Sequence, residues 1–288
     1  MVARVTPVKK GVATADRVTK FIGGYTRYLN ERAADEREDD SDSDSTDTTA
    51  SRFTAKLLKF LLRGFQAKDK FVRYRVVCIT AEMISALGEL DVVIYDNLQK
   101  ALLDRIHDKE PMVRLQVVIA LSKLAASEED EPSEVAPGEP TLLQVLIDTL
   151  SHDPSPEVRR ATLVNIPVNS NSLPAVLARA RDTETTIRKL LYSSVLTQTA
   201  SSAASPHTLT IAQRELIVRH GLGDREMTVR NAAADLLGTW IDVIAEGEKT
   251  EEDLASRLTD IDISKAEEKL PSTRKKSSKK QYKLSQPS

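Results

Sequence analysis

A short element, an Asp followed five positions later by Val or Ile and then by Arg, occurs four times along the chain. It stands at residues 108–114, 153–159, 182–188 and 224–230. A degenerate first copy ends at Arg73, with its Asp69 two positions late. The five arginines, at positions 73, 114, 159, 188 and 230, lie 41, 45, 29 and 42 residues apart. Three of these steps match the spacing of roughly 40–47 residues in HEAT or armadillo-type repeats.

Each copy of the element lies between two apolar stretches with a helical period. After Pro111, for example, apolar residues recur at i, i+4, i+7, i+8 and i+11, namely Val113, Val117, Ala120, Leu121 and Leu124. One such helix pair cannot bury its apolar stripes alone, but five pairs can stack around a continuous core. The sequence therefore predicts an all-α fold, an α-solenoid of stacked HEAT-type helical repeats.

The composition agrees with helix-on-helix packing, since aromatic residues make up only 4% of the chain. The single cysteine, Cys78, excludes a disulfide framework and indicates a reducing compartment. No apolar run reaches the roughly 18–20 residues that would span a bilayer. The first residues carry basic side chains without an apolar core, so they do not predict a secretory signal. We expect a soluble, intracellular, helical protein with no membrane role.

Changes in composition predict the domain boundaries. Residues 34–50 hold eight acidic residues and one basic residue, a composition typical of a disordered loop. Gly23 and Gly24 weaken the helix expected before this loop by about 1 kcal/mol each relative to alanine. We expect a disordered N-terminus at 1–13, a helix at 14–33, a disordered acidic loop at 34–50, the repeat array at 51–246 with an acidic linker at 127–140, and a decaying helix with a disordered basic tail at 247–288.

Two of the predicted disordered segments carry candidate signals. Ser41 has Asp44 three residues on, a pattern that acidophilic kinases accept, so it is a candidate phosphorylation site. A plain solvated linker is the favoured alternative. The lysine-rich stretch at 273–280 matches a nuclear localisation patch or a nonspecific nucleic-acid arm, and a silent solvated tail is the slightly favoured alternative.

The recurring Asp and Arg residues have two interpretations. The favoured one is a structural ladder that ties each turn to the next, formed by Arg73, Asp108, Arg114, Asp153, Arg159, Asp182, Arg188, Asp224 and Arg230. The alternative is phosphate contact by the arginines. Basic residues outside the ladder are freer to contact phosphate along one edge of the solenoid, and these DNA-binding candidates are Lys68, Lys70, Arg75, Lys109, Arg160 and Lys189. A solvated face accounts for them equally well.

The sequence does not predict an enzyme. It contains no glycine-rich phosphate loop and no Gly-x-Ser-x-Gly elbow. His107 and His152 both lie just before a repeat Asp, which makes them equivalent turn positions rather than a metal pair. With one Cys and no HExxH, we expect no metal site, no cofactor and no small-molecule substrate.

The repeat strings resemble the amino-terminal HEAT repeats of the CAP-G family, condensin complex subunit 3. The resemblance covers roughly residues 15–242 and rests on KDKFVRYRVV, DKEPMVRLQVVIALSKL, DPSPEVRRATLVNI, LPAVLARARDTETTIRKLLY and LTIAQRELIVRHGLGDREMTVR. The members of that family are several times longer than this chain, so what is present looks like an amino-terminal piece.

This resemblance implies a non-catalytic subunit of condensin, the complex that compacts mitotic chromosomes. It implies binding to the kleisin subunit and, through it, to the coiled-coil ATPase subunits. It also implies binding to double-stranded DNA without sequence specificity, in the nucleus and on mitotic chromosomes, with a possible cytoplasmic pool. The alternative is a generic HEAT-repeat scaffold that binds proteins and has no DNA role.

Overall fold

The computed structural model describes residues 2–39, 48–88, 90–128, 140–197, 209–242 and 245. The chain divides into two compact units, Met1–Thr239 and Trp240–Ser288. In the second unit the described residues, 240–242 and 245, are helical. The helices of the first unit are α1 (Val2–Val5), α2 (Ala13–Asp39), α3 (Thr49–Phe65), α4 (Lys70–Met83), α5 (Val92–Arg105), α6 (Pro111–Glu128), α7 (Leu142–His152), α8 (Pro156–Asn165), α9 (Leu173–Ala178), α10 (Thr185–Leu190), α11 (Ile211–Leu222) and α12 (227–239).

From α3 onward the helices form five consecutive pairs. One copy of the repeated element begins in the turn of each pair and ends in the second helix, where its arginine lies. The second helices of successive pairs pack on one another, α4 on α6, α6 on α8 and α8 on α10. Among the first helices, α3 packs on α5 and α7 on α9. No strand occurs in the described residues. The predicted all-α, HEAT-type solenoid is therefore confirmed for the first unit.

Side chains at the helix starts satisfy backbone N–H groups that have no partner inside the helix. Asp69 and Asp91 each accept a hydrogen bond from the backbone two residues on. Thr48 and Thr210 form capping boxes at the starts of α3 and α11. These polar residues fix where each helix begins after a turn.

The apolar stripes meet in a core that runs along the pairs. Val113, Val117 and Leu121 on α6 are fully buried, as the spacing in the sequence predicts. Neighbouring pairs contribute the same kind of residue, including Leu58 on α3 and Leu146 on α7, both with no exposed surface. Burying one such side chain stabilises the fold by roughly 1.5–3 kcal/mol, so the array is held mainly by contacts between adjacent repeats.

The N-terminal part differs from the sequence expectation. Residues 2–5 form the short helix α1, and the carbonyls of Val8 and Lys9 accept hydrogen bonds from Arg75. Helix α2 continues to Asp39, beyond the predicted end at 33, and packs against α4. The structure thus gives residues 2–13 a short helix and a turn bound by a buried arginine, where the sequence predicts a disordered N-terminus at 1–13.

One of the two adjacent glycines of α2, Gly23, lies where this helix packs against α4. A Cβ added to Gly23 would lie 3.0 Å from the Cβ and the carbonyl oxygen of Glu82 on α4, while one added to Gly24 would meet nothing within 4 Å. The absence of a side chain at Gly23 thus permits close packing of the two helices.

The fourth repeat is compact, as its 29-residue step predicts. Helices α9 and α10 have six residues each, and Pro174 lies in the first turn of α9. A five-residue π-helix, Leu191–Val195, continues from α10. Residues 40–47, 129–139 and 246–288 lie outside the described residues, so the predictions for Ser41, for most of the two acidic segments and for the basic tail stay predictions.

Candidate partner and nucleic-acid interface

Four arginine–aspartate pairs connect the turns of successive repeats. Each arginine places its Nε and Nη2 on the two carboxylate oxygens of the aspartate in the following turn, at 2.7 to 3.2 Å. The pairs are Arg73 with Asp108, Arg114 with Asp153, Arg159 with Asp182, and Arg188 with Asp224. This bidentate geometry is the strongest form of a side-chain ion pair.

The remaining Nη1 of each arginine binds within its own turn. Arg114 Nη1, for example, donates to the carbonyl of Asp108 at 2.8 Å. Arg230 does the same in the fifth turn, to the carbonyls of Asp224 and Arg225. Each ladder aspartate also accepts a hydrogen bond from the backbone N–H two residues on, as Asp153 does from Ser155 at 2.8 Å. One side chain thus closes a turn and joins it to the next, so the ladder residues are structural.

Two ladder aspartates receive a second arginine that the sequence did not predict. Arg105 lies 3.1 Å from Asp108, and Arg179 lies 3.1 Å from Asp182. Burial raises the pKa of both carboxylates, but hydrogen bonds from the ladder arginines and from a backbone N–H outweigh it, so the net pKa lies below the ordinary value. These aspartates stay ionised at neutral pH and are not available as proton donors.

Of the six candidate bases outside the ladder, five have exposed side chains and one, Arg75, is buried. Lys68, Lys70, Lys109, Arg160 and Lys189 are exposed on or next to the turns, so they can reach an anion. Lys68 and Lys109 occupy equivalent turn positions, five residues before a ladder arginine, and Arg160 and Lys189 occupy the position directly after one.

Arg75 does not belong with these residues. Its side chain has no exposed surface, and its Nη1 binds Asp16 on α2 at 2.6 Å. Its Nη2 binds the carbonyl of Lys9 at 3.1 Å. The prediction that Arg75 contacts DNA is wrong, because two residues past Arg73 the helix has turned by about 200° and points at α2 rather than at the turn edge.

Acidic side chains lie among the exposed bases of the turn edge. Lys70 Nζ is 3.5 Å from Glu110, and Arg225 lies 3.8 Å from Glu226. The position four residues before the ladder arginine is acidic in four of the five turns, at Asp69, Glu110, Glu184 and Glu226. The electrostatic attraction of this edge for phosphate is therefore reduced by its own carboxylates.

Pockets open along the same edge between successive turns. One of about 330 Å³ lies between the second and third turns and includes His107, Asp108, His152 and Asp153. Another, of about 550 Å³, lies between the fourth and fifth turns. Its basic residues are Arg181, Arg188, Arg219, His220 and Arg225, and the ladder aspartates Asp182 and Asp224 also line it. The sequence pattern does not reveal the bases outside the ladder as a set, because they come from two repeats and only Arg225 is at a position that also carries Lys in other turns.

Within the described ranges, no three His, Cys, Asp or Glu side chains are grouped so that they could hold a metal ion. Likewise, none of the described helices is long and apolar enough to cross a membrane. The only cysteine, Cys78, is mostly buried, and burial raises the pKa of its thiol to about 11. This thiol is protonated at neutral pH and therefore weakly nucleophilic.

The closed turns, the ladder and the stacked helix pairs define a HEAT-type α-solenoid. No protein-family model matches the chain. Condensin complex subunit 3 of Schizosaccharomyces pombe is 36% identical over 261 residues, which cover 90% of this chain and 26% of the relative. The Saccharomyces cerevisiae protein of the same name is 30% identical over 274 residues, 92% of this chain and 25% of the relative. The human protein is 30% identical over 243 residues, which cover 82% of this chain and 22% of the relative.

A solved structure gives the same result. The crystal structure of the S. pombe condensin Cnd3–Cnd2 subcomplex contains a chain that is 36% identical to this one, with a TM-score of 0.66 over 84% of this chain and 28% of that chain. Over the residues that align, the chain belongs to the condensin complex subunit 3 family. It spans about a quarter of the length of these relatives.

Proposed function

We propose that this chain acts as a non-catalytic HEAT-repeat part of condensin. The observation that carries the proposal is the 36% identity and the TM-score of 0.66 to a chain in the Cnd3–Cnd2 subcomplex. The chain binds the kleisin subunit and, through it, joins the coiled-coil ATPase subunits. Its place of action is the nucleus and the mitotic chromosome, where the complex condenses DNA.

In this proposal the turn edge also contacts double-stranded DNA. Support comes from the five exposed bases at or beside the turns, Lys68, Lys70, Lys109, Arg160 and Lys189. Further support comes from Arg181, Arg219 and Arg225, which lie outside the ladder and line the pocket between the last two turns. Lysine and arginine side chains that contact phosphates release counterions and read no base edges. Binding of this kind is independent of DNA sequence and falls with salt.

Two observations favour the second candidate function, a HEAT scaffold that binds proteins and no DNA. The acidic residues beside the exposed bases, including Glu110 at 3.5 Å from Lys70, weaken the field that the edge presents to phosphate. A chain whose net charge is −2 also lacks the overall positive charge typical of independent DNA-binding domains. The two functions are distinguished by DNA binding in the presence of the kleisin.

A gel-shift titration tests the proposal, with the full chain alone and with a kleisin fragment, against random-sequence duplex DNA at two salt concentrations. We expect binding that tightens with the kleisin and falls steeply with salt. The combined variant Lys109→Glu, Arg160→Glu and Lys189→Glu is expected to weaken binding and to reduce the salt slope by about one for each phosphate that is no longer neutralised. Lys100→Glu, an exposed position on α5 and remote from the turns in sequence, is the matched control.

Three outcomes are informative. Kleisin binding with no DNA binding at low salt supports the protein scaffold within condensin. No kleisin binding by a helical, monodisperse chain overturns the condensin proposal for this part of the protein. A salt-sensitive DNA affinity that the triple variant leaves unchanged overturns the assignment of the turn edge.

A further inference from the structure

The face that α2 and α3 present to solvent combines aromatic and basic side chains away from the turn edge. Its exposed aromatic residues are Phe21 (61%), Tyr25 (40%), Tyr28 (53%) and Phe60 (41%). Large apolar side chains that remain exposed together commonly mark a binding surface. We call this surface the α2–α3 face and define it by these four residues, by the half-buried Phe53, and by the exposed bases Arg17, Lys20, Arg27, Lys56, Lys59 and Arg63.

Three aromatic rings of this face, those of Phe21, Tyr25 and Phe53, form a continuous cluster. Phe21 and Tyr25 are stacked, with ring centroids 5.9 Å apart and planes inclined by 13°. Tyr25 also meets Phe53 of α3 edge to face, with centroids 5.5 Å apart. Because these contacts hold the rings in place, a partner would bind them with little loss of side-chain entropy.

The charge of the face has one sign along residues 17–30 of α2 and residues 49–65, whereas acidic residues follow on α2 from Glu31 onward. Residues 17–30 of α2 contain three basic residues and no acidic one, and residues 49–65 contain four basic residues and no acidic one. These two stretches together carry seven positive charges in a chain whose net charge is −2. The acidic residue at the start of α2, Asp16, is paired with the buried Arg75. The α2–α3 face therefore differs from the turn edge, where acids and bases alternate.

We infer that the α2–α3 face binds an extended, acidic segment of a protein partner that carries aromatic or aliphatic anchor residues. Aromatic side chains dominate the binding energy of protein interfaces, whereas surrounding charges set orientation and association rate. Here Phe21 and Tyr28, the two most exposed rings of α2, provide the anchor contacts, and the bases on both helices attract the carboxylates. The inference does not depend on the proposed DNA contacts, which involve the turns.

Nucleic acid fits the same surface less well. In duplex DNA the bases are stacked within the helix, so exposed aromatic rings would add nothing to phosphate contacts. Single-stranded nucleic acid would need free ring faces on which bases can stack. Tyr25 has one face against Phe21 and makes an edge-to-face contact with Phe53, so its ring is already engaged.

The test is a fluorescence-anisotropy titration of the full chain with a labelled peptide of glutamates carrying spaced phenylalanines. We expect binding at low salt that weakens when the phenylalanines are replaced by serine. The double variant Phe21→Ser and Tyr28→Ser is expected to weaken binding about tenfold or more, as removal of an aromatic anchor does. Lys56→Glu combined with Arg63→Glu is expected to weaken it and to reduce its salt dependence.

Matched controls use exposed positions elsewhere in the array. Val164→Ser on α8 removes an apolar side chain that is 51% exposed, and Lys100→Glu on α5 reverses an exposed charge. Neither is expected to change peptide binding. Circular dichroism of every variant confirms that the helices are retained.

Three results would overturn the inference. The first is no binding of the acidic peptide at low salt by a folded chain. The second is equal binding by the wild-type chain and the Phe21→Ser, Tyr28→Ser variant. The third is tighter binding of a single-stranded oligonucleotide that the same variant abolishes, which would assign the face to nucleic acid.

Discussion

Arg114 in the second turn places two guanidinium nitrogens on the carboxylate of Asp153 in the third, at 2.8 and 2.9 Å. Only 10% and 6% of the two side chains are exposed. The same arginine keeps its third nitrogen on the carbonyl of Asp108, whose carboxylate receives Arg73 from the turn before. Three successive turns are therefore joined through one chain of charge-assisted hydrogen bonds.

Removing one member of this pair should destabilise the array. Asp153→Ala leaves the Arg114 guanidinium buried without its counter-charge, and we expect a decrease of about 3–5 kcal/mol in the free energy of unfolding. Urea denaturation followed by circular dichroism measures it. Glu215→Ala is the control, because its pair with Arg219 is exposed and should be worth less than about 1 kcal/mol. Equal decreases in the two variants would show that the ladder is no stronger than a surface pair.

The ladder should also make stability depend on pH. The hydrogen bonds from Arg188 lower the pKa of Asp224 below its ordinary value of 3.8. A carboxylate whose pKa is lower in the folded state adds stability above the unfolded pKa and loses it as the pH falls through the folded pKa. The difference in the free energy of unfolding between the wild-type chain and Asp224→Asn should therefore be constant near neutral pH. It should decrease below about pH 3.8.

Urea denaturation across acidic pH measures this gap. The exposed Asp96 on α5 provides the comparison, since a surface substitution such as Asp96→Asn should change stability little. A gap for Asp224→Asn that stays constant down to strongly acidic pH would mean that the ion pair does not contribute as inferred.

Gly23 and Gly24 should respond in opposite ways to the same substitution. Gly24→Ala adds a methyl group into open space within a helix and should stabilise the chain by about 0.5–1 kcal/mol. Gly23→Ala forces its Cβ against the backbone of Glu82 and should destabilise it by about 1–3 kcal/mol. Thermal unfolding of the two variants tests this directly. Stabilisation by both would show that α2 is not packed closely on α4.

Replacing Arg75 should release the N-terminal segment. Arg75→Leu removes charge-assisted hydrogen bonds to Asp16 and to the Lys9 carbonyl, and we expect the free energy of unfolding to fall by about 2–3 kcal/mol. Hydrogen exchange should rise in residues 2–12. The exposed Lys70→Leu in the same helix should not cause this rise. If Arg75→Leu leaves both stability and exchange unchanged, the segment is held by other contacts.

The sequence was sufficient for the repeat architecture because its signal is local. The Asp-to-Arg spacing of six residues and the helical period of Val113, Val117 and Leu121 both act within one repeat, and stacking repeats that element. The position of α2 could not be predicted, since it lies outside the repeat pattern and its contacts with α4 join residues about sixty positions apart, such as Asp16 and Arg75. For the same reason the sequence alone groups Arg75 with the surface bases, although its side chain is buried against α2.

The side chains that complete the ladder around its aspartates could not be predicted from the sequence either. Arg105 and Arg179 each lie three residues before a ladder aspartate, but nothing in a linear pattern distinguishes them from other solvated bases. The π-helix at Leu191–Val195 has no sequence signature that separates it from an ordinary helix end. The exposed bases of the turn edge could be predicted, but the carboxylates that face them across neighbouring turns could not.

The joint between repeats has the same geometry whatever the length of the repeat. Successive arginines are separated by 41, 45, 29 and 42 residues, yet each of the first four reaches the next aspartate at 2.7 to 3.2 Å. The second, third and fourth copies of the element each supply both an aspartate that accepts from the preceding repeat and an arginine that donates to the following one. A repeat could be lengthened, shortened or removed whole, and its neighbours would still present a matching arginine and aspartate to each other.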